Sequence, residues 1–200
     1  MEGELINMSK TGKTGVSTNT PKNIVFGAGT IHKNLAYTGS AWNFDASIVG
    51  ATSGGSKFTI QPEITTVEAD GALVKVKGLD VKTGETATME INFLELTKDI
   101  IKSAVIGADG TSSDTTYDLI ESKADIAEGD YWENVAFVGK TLEGKNIIVI
   151  LDNALCTSGL ELEGKNKEAG IGKYTFESYA ELTGDLDTLP WHIYYPKATV

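Results

Sequence analysis

The chain has 200 residues, with seventeen lysines, no arginine and twenty-eight carboxylates, for a formal net charge of −11. This length builds one domain or at most two small ones, and 40% hydrophobic against 22% charged residues mark a folded globule, not a disordered tail. Lacking the guanidinium fork that clamps phosphate, and acidic enough to repel nucleic acid, it is not expected to read DNA through a groove.

The charge is uneven. Residues 1–100 carry nine lysines and eleven carboxylates, whereas residues 101–200 carry eight and seventeen. The second half is therefore expected to present an acidic surface. The one cysteine, Cys156, cannot close an internal disulfide. Met1–Leu5 has neither the basic nor the apolar region of a secretory signal, so a non-secreted chain is expected. The longest strongly apolar run, 147–151, is far short of the roughly 20 residues of a membrane-spanning helix.

Residues 1–22, rich in Ser, Thr, Lys and Gly, predict a flexible arm ending at Pro21, followed by a single domain over 23–200. Ile24–Phe26 and Thr30–Leu35 read as strand interrupted by a bulge at Gly27-Ala28-Gly29. Gly54-Gly55 reads as a turn. Phe58 and Ile60 mark a half-buried strand that Pro62 confines to an edge or an end. Over 62–78 an acidic limb (Glu63, Glu68, Asp70) precedes a lysine limb (Lys75, Lys77), which predicts a projecting hairpin or loop. Glu85–Leu96 is the clearest strand, with Ala87, Met89, Ile91 and Phe93 on one face and Thr86, Thr88, Glu90 and Asn92 on the other. A short helix is predicted over 97–106, capped by Thr97 and stopped by Gly107. Ala108–Thr116 reads as a polar loop. Further strands are expected at 117–121, 135–138, 146–151, 160–162, 174–182 and 191–195. The chain is thus mainly β, an antiparallel sandwich or barrel with one short flanking helix.

Chemistry-bearing motifs are weak. Thr11-Gly12-Lys13-Thr14 lacks the first glycine of a phosphate loop, because position 7 is Asn, and Gly27-Ala28-Gly29 lacks the third of a dinucleotide fingerprint, because position 32 is His. His32, His192 and Cys156 have no metal-ligand spacing. Asp109–Asp114 resembles a calcium loop without its alternating ligands or closing Glu. Near-neighbour carboxylates such as Glu161 and Glu163 are expected by chance among so many. Trp191, Tyr194 and Tyr195 read as core and interface more readily than as a sugar platform. Neither catalysis nor a cofactor or metal is expected.

Three segments together resemble the tail tube proteins of long-tailed (siphovirus-like) bacteriophages of Gram-positive hosts. They are Asn23–Leu35 with its Gly-Ala-Gly kink, Asp187–Pro196 (DTLPWHIYYP), and Gly50–Thr97. In the last, a Gly-Gly turn, a Pro-Glu step, an acid–Asp–Gly loop, Val-Lys-Gly and a long strand ending in Glu-Leu-Thr occur in the family's order. The resemblance covers most of 23–106 and about the last thirty residues; 107–170 is generic.

It implies a virion protein assembled in the bacterial cytoplasm. Six copies would form a ring whose inner strands join into one barrel, and rings would stack into the tube that conducts DNA during ejection. The implied partners are further copies of the chain, the tape measure protein and other tail proteins, with DNA only as passing cargo and no membrane bound. Ring stacking is expected through Glu63, Glu68, Asp70, Lys75 and Lys77. Glu90, Glu177 and Glu181 are expected to face the lumen. The inner tube of a contractile tail or phage-like particle is an alternative within the resemblance, and a secreted β-sandwich that binds carbohydrate or acts as an adhesin is one outside it.

Overall fold

The computed structural model describes residues 15–164 and 166–197. Most of the expected arm, residues 1–14, lies outside the described residues. Residues 15–22 are nearly all exposed and lead into one helical turn, α1 (Thr20–Asn23), which Pro21 helps to start because a first-turn N–H needs no intrahelical partner.

The elements that follow are, in chain order, β1 (Val25–Lys33), the one-turn α2 (Phe44–Ser47), β2 (Thr52–Thr66), β3 (Asp80–Phe93), α3 (Lys98–Val105), β4 (Ala108–Gly110), β5 (Leu119–Glu121), β6 (Trp132–Thr141), β7 (Asn146–Cys156), β8 (Gly172–Ser178) and β9 (Trp191–Tyr194). The chain is mainly β, as expected. β4 and β5 form a small separate ribbon. The other seven strands make one antiparallel sheet, ordered β1-β6-β7-β8-β3-β2. The second edge of β7 is split: residues 148–151 pair with β9 and residues 154–156 pair with β8. Asn153, at φ +47, turns the backbone between the two partners. Ser178 stitches the split by donating its hydroxyl to Asp152 O at 2.8 Å. β1 and β2, the ends of the path, approach without pairing, so the sheet rolls into an open barrel.

The alternation of β3 sets the core. Ala87, Met89, Ile91 and Phe93 are buried, together with Tyr174 and Phe176 of β8, Val149 and Leu151 of β7, and Ile31 of β1. The helix adds Ile100 and Ala104 to the same cluster. Thr97 caps it by accepting from Ile100 N, and Trp132 Nε1 donates to Ser103 Oγ at 2.8 Å. β6 and β7 are buried on both faces, because a second cluster (Leu35, Ala136, Val138, Ile148, Ile150) lies on the outside under Trp42 and Phe44. That explains the unbroken apolar run 147–151.

His32, fully buried on β1, anchors this outer cover. Its Nδ1 lies 2.8 Å from Ser47 Oγ and its Nε2 lies 2.7 Å from Thr30 Oγ1. Ser47 gives its own proton to Asn43 O, so the imidazole donates from Nδ1, and burial lowers its pKa.

Several boundaries differ from the sequence reading. Gly54 and Gly55, both at positive φ, form a bulge inside β2 and not a turn. The helix ends through Ile106 in the left-handed region (φ +48), not through Gly107, whose absent Cβ instead spares Ile120 Cγ2, which would lie 2.6 Å away. Residues 108–110 are paired strand, not loop. Residues 160–162 form no strand, because nothing among the described residues pairs with them. β8 ends at Ser178, since no strand continues the ladder beyond it, and Leu182 stands exposed. α1 and α2 add two single turns to the one expected helix.

Candidate assembly interface

The projecting segment expected over 62–78 is the far half of a much longer hairpin. β2 and β3 pair from Thr52↔Phe93 to Thr66↔Asp80, with a second irregularity between Glu63 and Ile64. Pro62 lies mid-strand, which is tolerable because β2 is an edge strand with one side unpaired. Only residues 67–79 form the loop, closed by Val67 N donating to Leu79 O at 2.8 Å. Its apolar side chains are uncovered: Leu73 is 97% exposed and Val74 is 77% exposed. Glu63, Glu68, Asp70, Lys75 and Lys77 are all exposed. Glu63 sits on β2 opposite Gly84, and the other four lie in the loop; none of the five takes part in a salt bridge among the described residues.

Where the hairpin leaves the barrel, Glu85 holds it. Its carboxylate accepts from Lys82 Nζ at 2.9 Å and from the Trp191 indole N–H at 3.0 Å, and those bonds pull its pKa below the usual range. Trp191 thus points inward. Tyr194 meets the Trp42 ring edge-on at 4.9 Å, and Tyr195 donates to Asn23 Oδ1, so these three aromatics do not share one platform.

The outward face of β2, β3 and β8 is polar. Glu90 is exposed and accepts from Lys57 Nζ at 2.9 Å. Glu177, opposite Thr88, is half-buried, and the Tyr179 hydroxyl lies 3.5 Å from its carboxylate. These two of the three expected lumen residues share a face. Glu181 does not, for it lies past the end of β8 on the rim of a cleft of about 480 Å³. Tyr131 and Tyr179 wall this cleft, with rings edge-on at 5.6 Å, and Glu128 and Glu133 join Glu181 around it. Sequence reading missed the cleft, because Tyr131 and Tyr179 belong to segments that only the β7 split brings together.

The remaining singled-out residues are engaged separately. His192, exposed on β9, meets Asp152 at 2.9 Å, and burial pushes the Asp152 carboxyl upward. Cys156 is buried, which raises its thiol pKa and keeps it unreactive. Asp109 holds Lys98 and Lys102 of α3, while Asp114 closes its own turn on Thr116. No group of His, Cys, Asp and Glu among the described residues is arranged to hold a metal.

No protein-family model and no curated protein sequence matches the chain.

Proposed function

We propose that this chain is a structural virion protein of long-tailed bacteriophages: it assembles as hexameric rings that stack into the tail tube, the conduit for DNA ejection. The observation that carries the reading is the β2–β3 hairpin, which extends past the barrel core and ends in a loop whose apolar side chains are exposed among the described residues. Such side chains are ordinarily buried in a contact. The open edge of β2 supports the same reading, since a long unpaired edge is a template for a neighbouring strand and ring closure removes it.

The physical role needs no catalysis. Duplex DNA carries about one negative charge per 1.7 Å of axis, so a wall bearing Glu90 and Glu177 releases no counterions to it and lets it slide. The tape measure protein and other tail proteins are the further partners in this reading. Electron microscopy of the purified protein tests it. Stacked rings with a central lumen are expected; a chain that remains monomeric at high concentration by light scattering would sink the proposal.

A further inference from the structure

Resting on the tube reading, we propose that the cleft between Tyr131 and Tyr179 is the socket for the hairpin loop of a second copy, receiving Lys75 or Lys77. The chemistry of each side is on the surface. Two aromatic rings beside three carboxylates suit a cation with an apolar stem, which is held by ring faces and ion pairs together. In a chain without arginine, the cation that another copy can offer is lysine. Many lysines are already engaged: Lys33, Lys57, Lys82, Lys98, Lys102 and Lys123 each bridge a carboxylate of their own chain. Among the described residues Lys75 and Lys77 take part in no such bridge, and they flank Val76, with Leu73 and Val74 just before them, all exposed.

The cleft has the complementary composition. Glu128, Glu133 and Glu181 form no ion pair among the described residues, and the exposed side chains of Ile126 and Leu182 border them. Apolar side chains of the loop then meet apolar side chains of the rim while ammonium meets carboxylate. The loop is not seated in its own chain's cleft, whose lining, among the described residues, contains no residue of 66–79. The contact is therefore between copies. It also locates part of the negative excess of residues 101–200 at a contact, and it removes Glu181 from the lumen.

Carbodiimide coupling, which joins a lysine amine directly to a carboxylate, tests the pairing when run on an assembly of mixed ¹⁵N-labelled and unlabelled chains. Peptide mass spectrometry is expected to find label-mixed links from Lys75 or Lys77 to Glu128, Glu133 or Glu181. Links from these lysines only to Glu63, Glu68 or Asp70 would show loop pairing with loop and overturn the socket. A second arm reverses charge. Lys75→Glu with Lys77→Glu is expected to abolish stacking, while adding Glu128→Lys and Glu181→Lys restores it; assembly that is unaffected by the first pair, or not rescued by the second, overturns it too. Tubes without these links defeat only the socket, whereas a wild-type chain that yields neither rings nor mixed links defeats both the socket and the tube.

Discussion

At Gly29 a methyl group would lie 2.3 Å from Phe137 Cε2 and 2.8 Å from Val138 O, on a backbone at φ +68. Clash and strain act together there, so Gly29→Ala is expected to lower stability by about 2–4 kcal/mol. Gly27, at φ +95, faces open space, and Gly27→Ala is expected to cost only the strain, about 1 kcal/mol. Urea midpoints at unchanged slope measure both. The sequence marked both glycines as a bulge, but only the packing of Phe137 separates them.

His32 supplies the residue-scale pH dependence. Burial lowers its pKa below 6.5, so the unfolded chain binds the proton more readily. The contribution is complete above the unfolded value and is lost as pH falls below about 6.5 toward the folded pKa. Asp152, raised by burial, works in the opposite sense: its carboxyl holds a proton more readily when folded, so its contribution is lost as pH rises through its ordinary range. The comparison is therefore with His32→Gln, whose stability is expected to be flatter between pH 6.5 and 5 than that of the wild type. An identical slope in both would assign the effect elsewhere. Nothing in the sequence around His32 announced its burial, since Ser47 reaches it only because the outer cover folds back over β1.

At the scale of elements, the short helix was legible almost to the residue, because its cap, first-turn acid and apolar spacing are all local. Thr97→Ala removes the acceptor for Ile100 N and is expected to cost about 1 kcal/mol, with Thr97→Ser retaining most of it, by the same denaturant titration. The buried face of β3 was equally legible, because period-two alternation persists over the strand. The alternation Tyr174–Leu182 misled beyond Ser178. Amphipathic pattern fits a strand, but a strand also needs a partner ladder, and residues 179–182 have none. The same lack of a partner undoes 160–162.

For the whole molecule, the proposed tube sets the expectations. Reversing Lys75 and Lys77 leaves the barrel intact, since both lie in the exposed loop outside the core, so an unchanged circular dichroism spectrum should accompany lost stacking on gel filtration. Raising salt from 0.15 M toward 1 M shortens the screening length from about 8 Å to about 3 Å, which is expected to weaken stacking held by surface charge. Tubes whose length is indifferent to salt in electron micrographs would contradict an electrostatic contact. Replacing Glu90 and Glu177 by Lys puts cations on the polar face of the sheet, and tubes of that variant are expected to retain DNA that wild-type tubes release.

Local order, charge and alternation settle a good deal of this protein before any fold is known: a β-rich chain, one short capped helix, the buried face of β3 and a bulge at Gly27–Gly29. These follow from the sequence because each depends on neighbours two to four residues away. Other features arise only when the chain is folded: the outer core beneath Trp42 and Phe44, the split edge of β7, the departure of Glu181 from the face of Glu90 and Glu177, and the acidic aromatic cleft. A hydrophobic pattern tells which face of an element is hidden but not what hides it. That is decided by contacts between segments far apart in the chain, as where Glu85 takes the indole proton of Trp191.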